Sequence, residues 1–218
     1  MSGASYERWA GASRSQSVGL GKGMKRPSSA GVRSAGPRSK KARQNGWSVV
    51  FLDESGFMLQ PVVRRTWAPR AKTPIQYSWD RHDRLSVISA ITIAPLRCRM
   101  GLYFQIHDGN VRWKEVIAFL TMLHRHLRRK FIVVVDRFNA HRKAVRILHW
   151  FEVEWLPAYA PDLNLVEMVW NHTKYADLAN FIPDDVQHLH RAVTASLTDI
   201  GRDPTLLRSF FRRPLLAL

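Results

Sequence analysis

Cysteine is almost absent from these 218 residues: Cys98 stands alone. An internal disulfide framework and a multi-cysteine zinc site are thereby excluded, and a reducing, cytoplasmic location is expected. No apolar run approaches the ~18 to 20 residues that a membrane-spanning helix needs, and the N-terminus has no apolar signal core. Neither export nor membrane insertion is expected. Acidic side chains are scarce too: 17 Asp and Glu stand against 34 Lys and Arg, a formal net charge of +17 with a pI near 11.0. That balance points to a polyanionic partner, nucleic acid first. With 45% hydrophobic residues, the chain still has the material for a sizeable core.

Glycine and the acids are unevenly spread. Residues 1–46 hold eight of the twelve glycines, nine serines and ten Lys/Arg, with Glu7 as the one acid. Such a stretch has too little apolar area to offset its ordering entropy, so a flexible basic arm is expected, able to hold phosphates without reading sequence. From Trp47 onward the composition changes, and the periodic apolar segments all lie in this part. A folded domain is expected to start near Trp47, and a C-terminal helix and basic tail are expected over residues 186–218.

Two short runs stand out: Trp47-Ser48-Val49-Val50-Phe51-Leu52, ending in Asp53, and Phe131-Ile132-Val133-Val134-Val135, ending in Asp136. Continuous apolar runs of this length suit strands buried on both faces, as in a parallel pair covered by helices. Between them, Arg65-Thr66-Trp67, stopped by Pro69, then residues 85–93 and 102–106, predict an antiparallel meander. Spacing of 3.6 residues predicts helices through Trp113 to Leu127, Ala140 to Leu148, Leu165 to about Leu178, and Pro183 to Asp199. Phe151 to Leu156 reads as a last short strand. The order predicts an α/β domain with a mixed sheet flanked by helices.

Ligands of open α/β sheets gather beyond the carboxyl ends of the strands, where Asp53 and Asp136 would share a crevice if their strands are neighbours. Two carboxylates there call for a hard cation such as Mg²⁺, and a third carboxylate is the expected completion. Glu167, in the first turn of a helix, is the candidate. Taken singly, each of these residues has a plainer reading. A strand-end Asp is commonly a turn former, and Asn164-x-x-Glu167 reads as a helix capping box. The conjunction carries the case. His141 is a candidate to orient a carboxylate. His124-x-His126 and His188-x-His190 are rejected as zinc pairs, because residues two apart on a helix do not share a face. Trp67, Trp79, Trp113, Trp155 and Trp170 are assigned to core or groove walls. Arg125, Arg128, Arg129 and Lys130 form a basic cluster suited either to DNA or to a solvated helix end.

Four segments together resemble a known family: Phe51-Leu52-Asp53-Glu54-Ser55-Gly56-Phe57, Thr66-Trp67-Ala68-Pro69-Arg70, Asp136-Arg137-Phe138-Asn139-Ala140-His141-Arg142, and Leu156 through Asp162-Leu163-Asn164-Leu165-Val166-Glu167 to Trp170. Over residues 47–185 the chain is similar to the DDE catalytic domain of mariner-like bacterial insertion-sequence transposases, the insertion-sequence six-thirty group. The resemblance implies a ribonuclease-H-like fold, with DNA cleavage and strand transfer using two Mg²⁺ or Mn²⁺ ions. It also implies that Asp53, Asp136 and Glu167 are the catalytic, metal-holding carboxylates, that Asn139, His141 and Asn164 support them, and that the chain acts as a homodimer on DNA. The alternatives are a non-catalytic DNA-binding remnant and a ribonuclease-H-like nuclease without strand transfer. Two departures from the family pattern bear on the site. Leu165 stands where the family usually has Pro, and the Asp136-to-Glu167 interval is about one helical turn short.

Overall fold

The computed structural model describes residues 41, 42, 44–65, 67, 75, 83–94, 99–157 and 163–211. Strands β1 (Ser48–Met58), β2 (Arg84–Ala94) and β3 (Arg99–His107) precede helix α1 (Trp113–Leu127). Then come β4 (Phe131–Val135), α2 (Asn139–Ile147), β5 (Glu152–Trp155), α3 (Val166–His172), α4 (Val186–Arg202) and α5 (Pro204–Phe211). The five strands make one sheet in the order β3-β2-β1-β4-β5. β1, β2 and β3 form an antiparallel meander, whereas β4 runs parallel to both β1 and β5.

The continuous apolar runs of β1 and β4 follow from burial on both faces. Val49 and Phe51 of β1, with Ile132 and Val134 of β4, pack with Val166, Val169 and Trp170 of α3 and Val193 and Leu197 of α4. Their alternates, Val50, Leu52, Phe131, Val133 and Val135, pack with Phe119 and Leu123 of α1 and Ala140 and Ala144 of α2. Because side chains alternate along a strand, adjacent residues of β1 must serve different helical layers. This decides how the polar residues that follow Leu52 are used.

Several expectations change. β1 does not stop at Asp53 but continues to Met58, pairing with β2 through Met58 opposite Arg84. A single long strand therefore supplies the antiparallel partner expected from residues 65–67. Arg65 and Trp67 are not in a strand, and Trp67 is fully exposed rather than a core or groove residue. Thr66, Pro69 and Trp79 lie outside the described residues. Trp170 is buried, as expected.

The helix expected from Leu165 to about Leu178 opens after His172 into a π-helical turn, Thr173–Asp177, closed by Leu178 N–H donating to Thr173 O at 2.9 Å. Of the basic arm expected over residues 1–46, residues 1–40 and Arg43 lie outside the described residues. Ala42 is fully buried in the core, so packing begins before Trp47. Leu189, Val193, Leu197 and Ile200 of α4 belong to that same core. No helix among the described residues is long and apolar enough to cross a membrane.

Candidate active site

In the parallel pair, Phe51 of β1 lies opposite Val134 of β4. Two further steps of that register bring Asp53 beside Asp136, at the carboxyl end of the parallel strands. The neighbours expected from sequence are thus neighbours in the fold, though Asp53 lies within a strand that goes on to pair with Ser89 of β2.

The alternation along β1 sends Asp53 and Glu54 to different layers. Asp53, on the α3 side, accepts a hydrogen bond from Trp170 Nε1 to Oδ2 at 3.0 Å. Its carboxyl is pushed up to about 7, first by burial, then by the negative charges of Glu167 and Glu54, with the Trp170 N–H acting in the opposite sense. Asp53 and Glu167 are therefore brought close enough for each charge to oppose the other. Lys174, the second residue of the π-turn, donates to Ser55 Oγ at 2.7 Å. Burial lowers its pKa, while Glu167 and Asp53 hold it up. A π-turn displaces the residues after it relative to a continuous α-helix, and such turns recur at functional sites.

On the other layer, His141 of α2 is 1% exposed and held between two carboxylates. Nδ1 meets Asp136 Oδ1 at 2.6 Å and Nε2 meets Glu54 Oε1 at 2.9 Å. Burial alone would lower the imidazole pKa. The bonds to Asp136 and Glu54 outweigh it and push the pKa up to about 10, so the ring is an imidazolium near neutral pH. The same bond, with a smaller part from Phe138 N–H, pulls Asp136 below the ordinary carboxylate value against the effect of its own burial. Both Asp136 contacts use Oδ1. Oδ2 takes part in neither, and the side chain is 56% exposed.

The N-cap of α3 is Leu165, already helical in its backbone and without a side-chain cap bond, so the oxygen of Asn164 caps the helix from one residue further back. Asn164 is buried, with Nδ2 donating to Leu52 O at 3.1 Å and Oδ1 accepting from Val166 N–H at 3.3 Å. It ties the start of α3, one turn before Glu167, to the residue just before Asp53. Asn139 is exposed at the first residue of α2. The basic cluster is elsewhere. Arg125, Arg128, Arg129 and Lys130 are exposed at the entrance to β4, the end of the parallel strands opposite the carboxylates.

Glu54, Trp170 and Lys174 were not identified by sequence reasoning as parts of the site. Glu54 had a legible signal, since a residue next to Asp53 on a two-sided strand must face α2, the helix that carries His141. Lys174 had none, because its position depends on a π-turn that no residue pattern announced.

Among the described residues, no three His, Cys, Asp or Glu side chains lie close enough together to hold a metal ion as the chain stands, with Asp136 turned to His141. The donor chemistry nevertheless fits a hard divalent cation. Carboxylate oxygens are its preferred ligands, Asp53 and Glu167 lie near enough for their negative charges to oppose one another, and Asp136 keeps an oxygen outside its own hydrogen bonds.

The family model described as "DDE superfamily endonuclease" matches residues 48–189, well over half of the chain. The chain belongs to the DDE superfamily of endonucleases. No curated protein sequence matches it. Among solved structures it is similar to the Mos1 transposase paired-end complex with left transposon end, with a TM-score of 0.56 and 15% identity over 88% of this chain and 64% of that one. It is also similar to the Mos1 mariner paired end complexes with Mn and with Mg, each with a TM-score of 0.55 and 15% identity. These likenesses are of fold, and they identify the mixed sheet and its flanking helices as ribonuclease-H-like. The chain spans 64% of the length of those Mos1 chains. The superfamily match includes β1 and α3, which carry Asp53 and Glu167, and β4, which Asp136 directly follows.

Proposed function

We propose that this DDE endonuclease is the catalytic domain of a mariner-like transposase, of the bacterial insertion-sequence six-thirty group, that cuts DNA at an element's ends and joins the freed 3′-hydroxyl to target DNA as a homodimer. The observation that supports the reading is the closeness of Asp53 to Glu167, with the Asp136–His141 pair following the adjacent parallel strand, in a chain of this superfamily. Asp53, Asp136 and Glu167 are the residues that would hold Mg²⁺ or Mn²⁺. When bound, a pair of such ions supplies activation of the attacking oxygen and stabilisation of the leaving one.

The chain's own residues prepare that site. Trp170 N–H orients Asp53. Glu54 fixes the ring of His141, and His141 keeps Asp136 ionised by placing a cation against Oδ1. Asn164 fixes the distance between β1 and α3, hence between Asp53 and Glu167. Support for DNA as substrate comes from the +17 charge and from the superfamily.

One observation favours a second reading, a non-catalytic DNA-binding remnant: Asp136 is paired with His141 and the three carboxylates do not close into a cluster. The two readings separate in a plasmid assay with Mn²⁺. A transposase nicks the plasmid and joins a labelled oligonucleotide bearing a free 3′-hydroxyl, and Asp53→Asn loses both activities. Cutting without joining would leave a nuclease. Salt-sensitive binding with neither activity would leave the remnant.

A further inference from the structure

Beside Asp136, on the α2 side of the sheet, a cleft of about 300 Å³ is lined by Arg137, Arg142, Val145, Arg146 and Trp155. Trp155 ends β5, the strand at the sheet edge, and its β4 neighbour is Val135, the residue before Asp136. Arg142 and Arg146 are one helical turn apart, so their side chains rise from the same face of α2 with Cβ atoms about 5–6 Å apart. Arg137 follows Asp136 directly. All three arginines are exposed, and none of their guanidinium groups forms an ion pair or hydrogen bond with another described residue. Alternation along β5 keeps its glutamates off this face: Val153 and Trp155 share the face of Val133 and Val135, and Glu152 and Glu154 point to the other.

Three unpaired guanidinium groups around an aromatic wall suit a ligand with several phosphates and an exposed π-face. Duplex DNA conceals its base faces, whereas single-stranded DNA presents them for stacking on aromatic side chains. We infer that this cleft holds the unpaired nucleotides of a DNA strand as it passes Asp136, with Arg137, Arg142 and Arg146 on its phosphates and Trp155 against a base. The inference rests on DNA being the substrate. It goes further in assigning a single-strand subsite next to the carboxylates, distinct from the basic cluster at the opposite end of the strands.

The test measures binding of the full chain to two labelled duplexes, one blunt and one with a single-stranded extension, without divalent ions. Leaving the ions out separates this inference from the catalytic reading: a chain that prefers the extension but never cuts would keep the subsite and sink the transposase. The parent is expected to prefer the extended duplex by about tenfold, the scale of one good base stack. Arg142→Ala combined with Arg146→Ala should abolish that preference and lower the salt slope on the extended duplex by about 1.4, at about 0.7 per single-strand phosphate. Affinity for the blunt duplex should be unchanged. Because Trp155 is part-buried, Trp155→Phe and Trp155→Leu are compared; both fill the site, and only Phe keeps a π-face and the preference. No preference in the parent, equal losses on both duplexes, or a preference that survives the double variant would overturn the inference.

Discussion

Asp53 and Asp136 close the same parallel strand pair yet are held in opposite ways. Asp53 lies among other carboxylates in a part-buried position, and its proton is retained up to about pH 7. Asp136 is more exposed, faces the imidazolium of His141, and stays ionised below the usual carboxylate range. The difference arises from the two faces of β1. The α3 face presents Asp53 to Glu167, and the α2 face presents Glu54 to His141. Asp136 has a cation bonded directly to it, whereas Asp53 and Glu167 have only the nearby ammonium of Lys174, which bonds to Ser55; the arrangement keeps Asp136 ionised and leaves Asp53 part-protonated near neutral pH.

The largest effect should come from removing the charge at either end of this comparison. Asp53→Asn, Asp136→Asn and Glu167→Gln should each lower Mn²⁺-dependent DNA nicking by more than about a hundredfold, the loss that even outer partners of a metal site can cause. Asp53→Asn should also raise the melting temperature of the metal-free protein, because it removes a buried charge facing like charges. Asp136→Asn should lower it, because His141 loses a partner. A common direction in both variants would break the comparison.

Next in size is His141→Gln, which leaves Glu54 and Asp136 without their shared cation. Removing one partner of a fully buried pair costs about 3–5 kcal/mol. With Asp136 56% exposed, solvent screening brings the expected loss nearer 2 kcal/mol, measured by urea unfolding. The pH dependence has a defined sign. A raised imidazole pKa adds stability that is fully present below the unfolded value of 6.5 and is lost as pH rises through about 10. The raised Asp53 acts in the same direction at lower pH, its contribution present below 3.8 and lost through about 7. His141→Gln should flatten the upper part of the profile of the metal-free protein and leave the lower part in place.

Trp170→Phe sharpens the comparison from the other side. Losing the N–H that favours ionised Asp53 should raise that carboxyl by about one unit, since one unit corresponds to about 1.4 kcal/mol, the size of such a bond. Carboxyl titration followed by NMR would detect it, with Asp136 unmoved. The smallest effect is expected at the far end of the strands. Arg128→Ala with Arg129→Ala should change stability by less than about 0.5 kcal/mol and weaken DNA binding evenly across sequences, without altering nicking of saturated complexes.

The chemistry of the site was more legible in the sequence than its wiring. Apolar runs ending in Asp53 and Asp136 disclosed a parallel pair and its carboxyl end, because burial on both faces forces a continuous apolar pattern. Asn164 and Glu167 were legible as a helix start, and the Asn164 oxygen does accept from Val166 N–H, but its amide also bonds to Leu52 of another element, and such a contact leaves no trace in local spacing. Lys174 was hidden for a related reason, since the π-turn is imposed by tertiary contacts such as the buried Thr173 and its Ser196 neighbour, 3.1 Å away. The strand expected at Arg65-Thr66-Trp67 failed because its β-propensity was real but β1 already filled the place in the sheet.

The central claim is that Asp53, Asp136 and Glu167 act as one cation site. Calorimetric titration of Mn²⁺ into the full chain at pH 8, above the Asp53 pKa, tests it most directly when repeated on Asp53→Asn, Asp136→Asn and Glu167→Gln. The account predicts binding by the parent and its loss in all three variants. A parent that is folded by circular dichroism yet binds no Mn²⁺, or variants that bind it as the parent does, would contradict the claim.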